Sequence, residues 1–191
     1  MKKIILTLLL LAFCVSISGA GITDKLRAVI AAKNAAAPAG GDDTYYAFGL
    51  GESGFTSCTA SISNDNHVGA AVTVATGGTA DKLLVKADGY QGNYGIRICL
   101  YNSDKSTLIT SGTVTTGDAG VKWHEIVISE VISSGTYYVS WIPQYTTYAC
   151  IDTGEDGEYI VEGDWGACAA VTVSTSTSTN EGPGVAIHVT H

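Results

Sequence analysis

The chain has 191 residues, of which 46% are hydrophobic, and its formal net charge at pH 7 is −8. Its lysines and arginines are scattered rather than clustered, which argues against nucleic acid and against anionic membranes as partners. The length suits one domain of ordinary size with a hydrophobic core of its own.

The N-terminus has the pattern of a secretory signal peptide. Residues 1–3 are basic, residues 4–17 are largely apolar, and Ser18 and Ala20 supply the small residues of a cleavage site. The apolar run is shorter than the roughly 20 residues that a membrane span needs. We therefore predict a signal peptide over residues 1–20. Loss of Lys2 and Lys3 takes the net charge from −8 to −10.

Residues 21–41 contain the best helix candidate. Ile22, Leu26 and Ile30 recur at helical spacing among several alanines, and Pro38 and the glycines after it end the pattern. The pattern predicts a short N-terminal helix followed by a linker. Two interpretations remain open, a helix packed on the domain that follows and an arm that docks on a neighbouring subunit.

Between residues 81 and 143, apolar and polar residues alternate at period two, and Gly, Asn, Asp and Ser clusters interrupt the alternation about every ten residues. This pattern is typical of an antiparallel sandwich or barrel, and it predicts about ten strands. The segments with strand character are residues 45–48, 56–62, 68–74, 82–87, 94–101, 122–129, 136–142, 146–152, 159–161, 169–176 and 185–189.

Residues 82–141 also carry a resemblance. An apolar strand is followed by Ile-Arg-Ile-Cys-Leu-Tyr-Asn at residues 96–102, by Lys122-Trp123, and by Ser-Gly-Thr-Tyr-Tyr-Val-Ser-Trp at residues 134–141. This succession resembles the jelly-roll modules of secreted bacterial glycan-binding, glycan-active and cell-surface proteins. The resemblance implies a jelly-roll-like β-sandwich over residues 42–191. Its residues are core and turn residues, so it carries over no ligand residue.

Four cysteines remain after the signal peptide, namely Cys58, Cys99, Cys150 and Cys168. An even number in a secreted chain indicates two disulfides, for which three pairings exist. We expect Cys150–Cys168, which would close an acidic loop, together with Cys58–Cys99. Zinc is the rival interpretation, but the chain has no Cys-x-x-Cys spacing.

The acidic loop is a candidate calcium site. Asp152, Glu155, Asp156 and Glu158 cluster there, and calcium prefers oxygen ligands. Gly154 stands where an EF-hand loop would carry a ligand, so the spacing is not that of an EF-hand. A solvated acidic loop is the simpler interpretation, and we expect no other cofactor.

Aromatic residues in predicted turns indicate a candidate glycan site, because flat rings stack on sugar faces. The candidate ligand-binding residues are Tyr90, Gln91, Asn93, Tyr94, Tyr145, Tyr148 and Trp165. The alternative is that these rings cover the ends of the sheets.

Signals for catalysis are weak. Residues 51–54 read Gly-Glu-Ser-Gly, but Phe55 stands where a nucleophile elbow would continue. His124 and Glu125 are neighbours on a predicted strand, so their side chains should point to opposite faces. A pair of carboxylates across a cleft, as glycosidases use, is not excluded by the sequence.

We therefore expect a secreted, non-catalytic module that binds extracellular polysaccharide or a cell surface. The alternative is a structural subunit of an extracellular filament or surface layer, assembled through the N-terminal arm or a sheet edge. A glycan-active enzyme is the third hypothesis.

Overall fold

The computed structural model describes residues 41–64, 66–88, 93–117, 120–153, 158–161, 168 and 181–191. The predicted signal peptide, the predicted N-terminal helix and the predicted strand at residues 169–176 lie outside these ranges.

The described residues form an all-β fold, as the alternation predicts. The strands are β1 (Asp42–Tyr46), β2 (Ser57–Ile62), β3 (Asn66–Val74), β4 (Gly78–Asp88), β5 (Gly95–Asn102), β6 (Leu108–Thr115), β7 (Val121–Ile132), β8 (Gly135–Pro143), β9 (Thr147–Thr153), β10 (Glu158–Val161), β11 (Glu181–Pro183) and β12 (Val185–Thr190).

These strands form two antiparallel sheets. In the first sheet, β4 pairs with β7 along one edge. Along its other edge, β4 pairs first with β12 and then with β9. Strand β1 pairs with the other edge of β12, and β9 also pairs with both β2 and β11. The second sheet has the order β10-β3-β8-β5-β6. Both sheets contribute to one hydrophobic core, so the arrangement is sandwich-like.

Period-two alternation explains which side chains enter the core. Leu83 and Val85 of β4 are fully buried, and Ile96 and Ile98 of β5 are buried as completely from the other sheet. Among the described residues, Trp141 of β8 is the largest fully buried side chain. Burying a valine, leucine or isoleucine side chain contributes about 1.5–3 kcal/mol, so these alternating positions dominate the stability of the fold.

Two segments differ from the sequence-based expectation. The strand predicted for residues 45–48 ends at Tyr46, and Ala47–Gly49 is a 3₁₀ turn in which Phe48 has a φ of 59°. The turn places the Phe48 ring against Gly182. Conversely, the sequence pattern does not predict β6 as a strand. This strand lies at the edge of the second sheet and is rich in exposed Ser, Thr and Gly, so it shows little apolar alternation.

The expected disulfide pairing is wrong. The disulfides are Cys58–Cys150 and Cys99–Cys168. Cys58 lies opposite Cys150 because β2 and β9 are hydrogen-bonded neighbours, whereas Cys99 belongs to the other sheet. Strand pairing therefore overrides closeness in the sequence. Two disulfides are typical of a protein that folds in an oxidising compartment.

Gly184 connects three strands of the first sheet. Its N–H donates to the Cys150 carbonyl of β9, and its carbonyl accepts from the Lys86 N–H of β4, each over 2.8 Å. The segment from β11 to β12 thus changes its hydrogen-bond partner at Gly184: β11 is paired with β9, and β12 is paired with β4. A Cβ at Gly184 would lie 2.9 Å from Cγ of Phe55, so only glycine fits beneath this ring.

We expect Gly184→Ala to lower the free energy of unfolding by about 1–3 kcal/mol, because the added methyl must displace the side chain of Phe55 or that of Lys86 on β4. Urea denaturation would measure the loss. Gly117→Ala is the matched control, since a Cβ at Gly117 would meet nothing within 4 Å. Equal stability of the two variants would contradict this account of the junction.

Candidate functional site

The described residues of three connections, β4–β5, β6–β7 and β8–β9, lie at one end of the sandwich. The Gly95 N–H donates to Oε1 of Gln144 over 3.0 Å, and the Gln144 N–H donates to the Gly95 carbonyl over 2.8 Å. The Thr116 N–H donates to the Tyr94 carbonyl over 2.9 Å. We call the described residues 93–94, 116–117 and 144–147 the loop end.

The loop end presents two of the candidate ligand-binding residues to solvent. Tyr145 is 54% exposed. Asn93 is exposed and has a φ of 45°, a left-handed conformation that asparagine adopts more readily than most residues. Asn93 stands two residues before Gly95, and Tyr145 directly follows Gln144. The Gly95–Gln144 hydrogen bonds therefore bring together two turns that lie about 50 residues apart in the sequence.

Tyr94 has a different role from the one expected, because it is a core residue. Its side chain is 1% exposed, so its ring offers no free face to a ligand. The hydroxyl forms a hydrogen bond with Oγ1 of Thr147 at 2.5 Å and donates to the Asp88 carbonyl at 3.0 Å. Burial raises the pKa of Tyr94. We therefore remove Tyr94 from the ligand-binding set and assign it to the support beneath the loop end.

The remaining candidate residues are placed in part. Tyr148 is half-buried on β9, opposite Asp88 of β4, and so lies at the same end of the sandwich. Tyr90, Gln91 and Trp165 lie outside the described residues. Their participation in ligand binding remains a prediction.

The calcium hypothesis also remains a prediction. Asp152 and Glu158 lie on β9 and β10, which belong to different sheets, while Glu155 and Asp156 lie outside the described residues. Among the residues that the structure describes, no group of three or more His, Cys, Asp or Glu side chains could hold a metal ion.

The sequence analysis missed an aromatic group on the outer face of the first sheet. The Trp123 ring packs in T-shaped geometry against the rings of Tyr46 and Phe55, with centroid distances of 5.5 and 5.9 Å. Nζ of Lys86 lies 5.7 Å from the centroid of the Trp123 ring. Phe55 is fully buried, whereas Trp123 and Tyr46 are partly exposed. Burial, followed by the charge of Glu52, raises the pKa of Tyr46. These rings mainly cover the sheet face around Gly184.

His67 and His124 are core groups. His67 is 2% exposed, and burial lowers its pKa to about 4. His124 is 4% exposed and faces the core, and burial is the largest cause of its lowered pKa. Glu125 points outward and forms an ion pair with Lys82 at 3.2 Å. His124 and Glu125 thus occupy opposite faces of the sheet, as strand geometry predicts.

The support role of Tyr94 predicts a loss of stability when its hydroxyl is removed. We expect Tyr94→Phe to lower the free energy of unfolding by about 0.5–1.5 kcal/mol, because the hydrogen bonds of the Tyr94 hydroxyl with Thr147 and Asp88 are lost while Thr147 keeps its own hydrogen bond to the Asp88 carbonyl. Urea denaturation would measure the change. Tyr145→Phe is the matched control and should leave stability unchanged, since that ring is 54% exposed. An unchanged midpoint for Tyr94→Phe would refute the support role.

In the described part of the chain, no helix is long and apolar enough to cross a membrane. Comparison with known proteins adds no family assignment: no protein-family model matches the chain, and no curated protein shows significant similarity to it.

Proposed function

We propose that the protein is a secreted, non-catalytic module that binds extracellular polysaccharide or a cell surface through the loop end. The observation that carries this proposal is that Asn93 and Tyr145 are exposed on two separate turns, which the Gly95–Gln144 hydrogen bonds join at one end of the sandwich. An exposed tyrosine ring offers a flat apolar face for a pyranose, and an asparagine amide can donate to and accept from sugar hydroxyls.

Rigid support beneath the loop end favours binding. Gly95 and Gln144 exchange hydrogen bonds directly beside the exposed residues, and Tyr94 is anchored below them to Thr147 and Asp88. The strands that lead to these turns, β5 and β8, are themselves paired. A site held in place by such contacts loses little conformational entropy when a ligand binds.

A jelly-roll topology is part of the proposal. What supports it is the pairing order of eight strands, β2-β9-β4-β7 in the first sheet and β3-β8-β5-β6 in the second. Successive strands from β2 to β9 change sheet at every step except between β5 and β6. This is the order expected when a long antiparallel ribbon folds into two sheets. Strands β1, β10, β11 and β12 would be additions to that framework.

Secretion is supported by two independent features. The N-terminus has the pattern of a signal peptide, and the described chain contains two disulfides. Both features are typical of a protein that works outside the cytoplasm.

The binding proposal predicts a local effect of truncating Tyr145. On immobilised polysaccharides of a representative panel, Tyr145→Ala should raise the dissociation constant about tenfold or more, which corresponds to the loss of one anchoring aromatic contact. The melting temperature should not change, because the ring is 54% exposed.

Leu108→Ala is the matched control. Leu108 is 37% exposed, and it lies at the β5–β6 turn, at the opposite end of these strands from the loop end. Retention of Leu108→Ala should equal that of the unmodified protein. Equal retention of Tyr145→Ala, or binding to no polysaccharide of the panel, would reject a glycan site at the loop end.

A second candidate function is that of a self-associating structural subunit. The observation that favours it is the exposure of three valines on β7, namely Val121, Val127 and Val131, at 51%, 79% and 88%. Exposed apolar residues on an edge strand are typical of surfaces that bind another chain. Sedimentation of the secreted protein tests this candidate, and a monomer at every accessible concentration would exclude it.

A further inference from the structure

Strand β7 has the properties of an association edge. It is a 12-residue strand, and within the described part of the chain it pairs with β4 alone. Residues 121–127 pair with residues 88–82 of β4 in an unbroken register. Beyond Val127 the register shifts by an irregularity. Among the described residues, the second edge of the regular half of β7 therefore has no strand partner, while the irregular half is poorly shaped for further pairing.

The exposed side chains of this regular half are also apolar. Val121 and Val127 lie opposite Asp88 and Lys82 of β4, on the outer face of the sheet. His124 and Ile126 lie on the inner face and are buried. The outer face of the edge thus starts and ends with an exposed valine, with Trp123 and Glu125 between them.

We propose that β7 of one copy pairs antiparallel with β7 of a second copy, about a two-fold axis at His124. This register places Val121 of each copy opposite Val127 of the other, and Trp123 opposite Glu125. Lys122 then lies opposite Ile126, so no like charges face each other across the new ladder.

Other registers fit the edge less well. A shift of one residue would place inward-facing residues opposite outward-facing ones. Two-fold axes at Trp123 or Glu125 keep the faces matched, but they use only part of the regular segment and separate Val121 from Val127. The axis at His124 is the one that uses the whole of residues 121–127 and pairs the exposed valines with each other.

This dimer rests on the second candidate function in one respect: both use the edge of a sheet as the surface that binds another copy. A two-fold pair is closed, so β7 alone makes dimers and not filaments. The dimer would also carry two loop ends, which increases the avidity for a repeating polysaccharide. Dimerisation is measured without any glycan, so a monomeric protein would contradict the dimer and leave the glycan proposal untouched.

Sedimentation equilibrium of the intact secreted protein tests the dimer at concentrations up to about 1 mM, because an edge-strand interface is small and therefore weak. Val127→Lys should raise the dimer dissociation constant at least tenfold. Val131→Lys is the matched control: Val131 lies on the same strand and is more exposed, at 88%, but it falls outside the paired segment. Its dissociation constant should change less than twofold.

A charge exchange tests the register itself. Val121→Lys and Val127→Glu should each weaken the dimer when made alone, because each places one charge opposite a valine. The variant that carries both substitutions should recover dimerisation, since the introduced lysine of each copy then faces the introduced glutamate of the other. Raised salt should weaken this restored dimer by screening the new ion pairs, whereas it should strengthen the dimer of the unmodified acidic chain. All substituted positions are exposed, so melting temperatures should stay within a few degrees.

Three outcomes would overturn the proposal. The unmodified protein could remain monomeric throughout the concentration range. Val131→Lys could weaken association as much as Val127→Lys, which would indicate nonspecific apolar contact. The double variant could fail to recover, which would indicate that another segment, such as the N-terminal arm of a neighbouring copy, occupies the edge.

Discussion

The fold depends on the hydrogen bonding of β4 along both of its edges. One edge pairs with β7, and the other pairs first with β12 and then with β9. Gly184 makes this change of partner possible, because its N–H and its carbonyl bind β9 and β4 at the same point. Phe55 covers the position where a side chain would stand. The same register turns Leu83 and Val85 into the core, so the hydrophobic stabilisation of the sandwich follows from this one arrangement of backbone hydrogen bonds.

The loop end shows how such a framework can position exposed residues. Tyr94 is buried and binds Thr147 and Asp88, while its neighbour Asn93 is exposed in a left-handed conformation. The Gly95–Gln144 hydrogen bonds then bring Tyr145 to the same end. The exposed residues stand on a packed and hydrogen-bonded base, which is the arrangement expected of a preorganised binding surface. The proposed glycan function uses this arrangement and requires no titrating group, consistent with the burial of His67 and His124 in the core.

The two proposed surfaces lie on different elements and use different physics. The loop end would bind through an exposed ring and an amide, whereas β7 would bind through main-chain hydrogen bonds and a pair of valines. Edge strands usually carry features that prevent such pairing. On β7 the irregularity beyond Val127 limits the open segment to residues 121–127. A short open segment favours one register over many, and therefore a defined dimer over open-ended aggregation.

Local pattern by itself determined the class of the fold and most strand positions, because alternation at period two reports directly which side chains one face of a sheet buries. It also placed His124 and Glu125 on opposite faces. Contacts between distant segments decided the rest. The disulfides follow the pairing of β2 with β9, not closeness in sequence. Strand β6 has little apolar alternation because it is an edge strand, and Phe48 leaves the strand conformation to cover Gly182. Tyr94 and Tyr145 look alike as tyrosines in turns, yet one is buried and the other exposed, because burial depends on which strands the turn connects and on what packs against it.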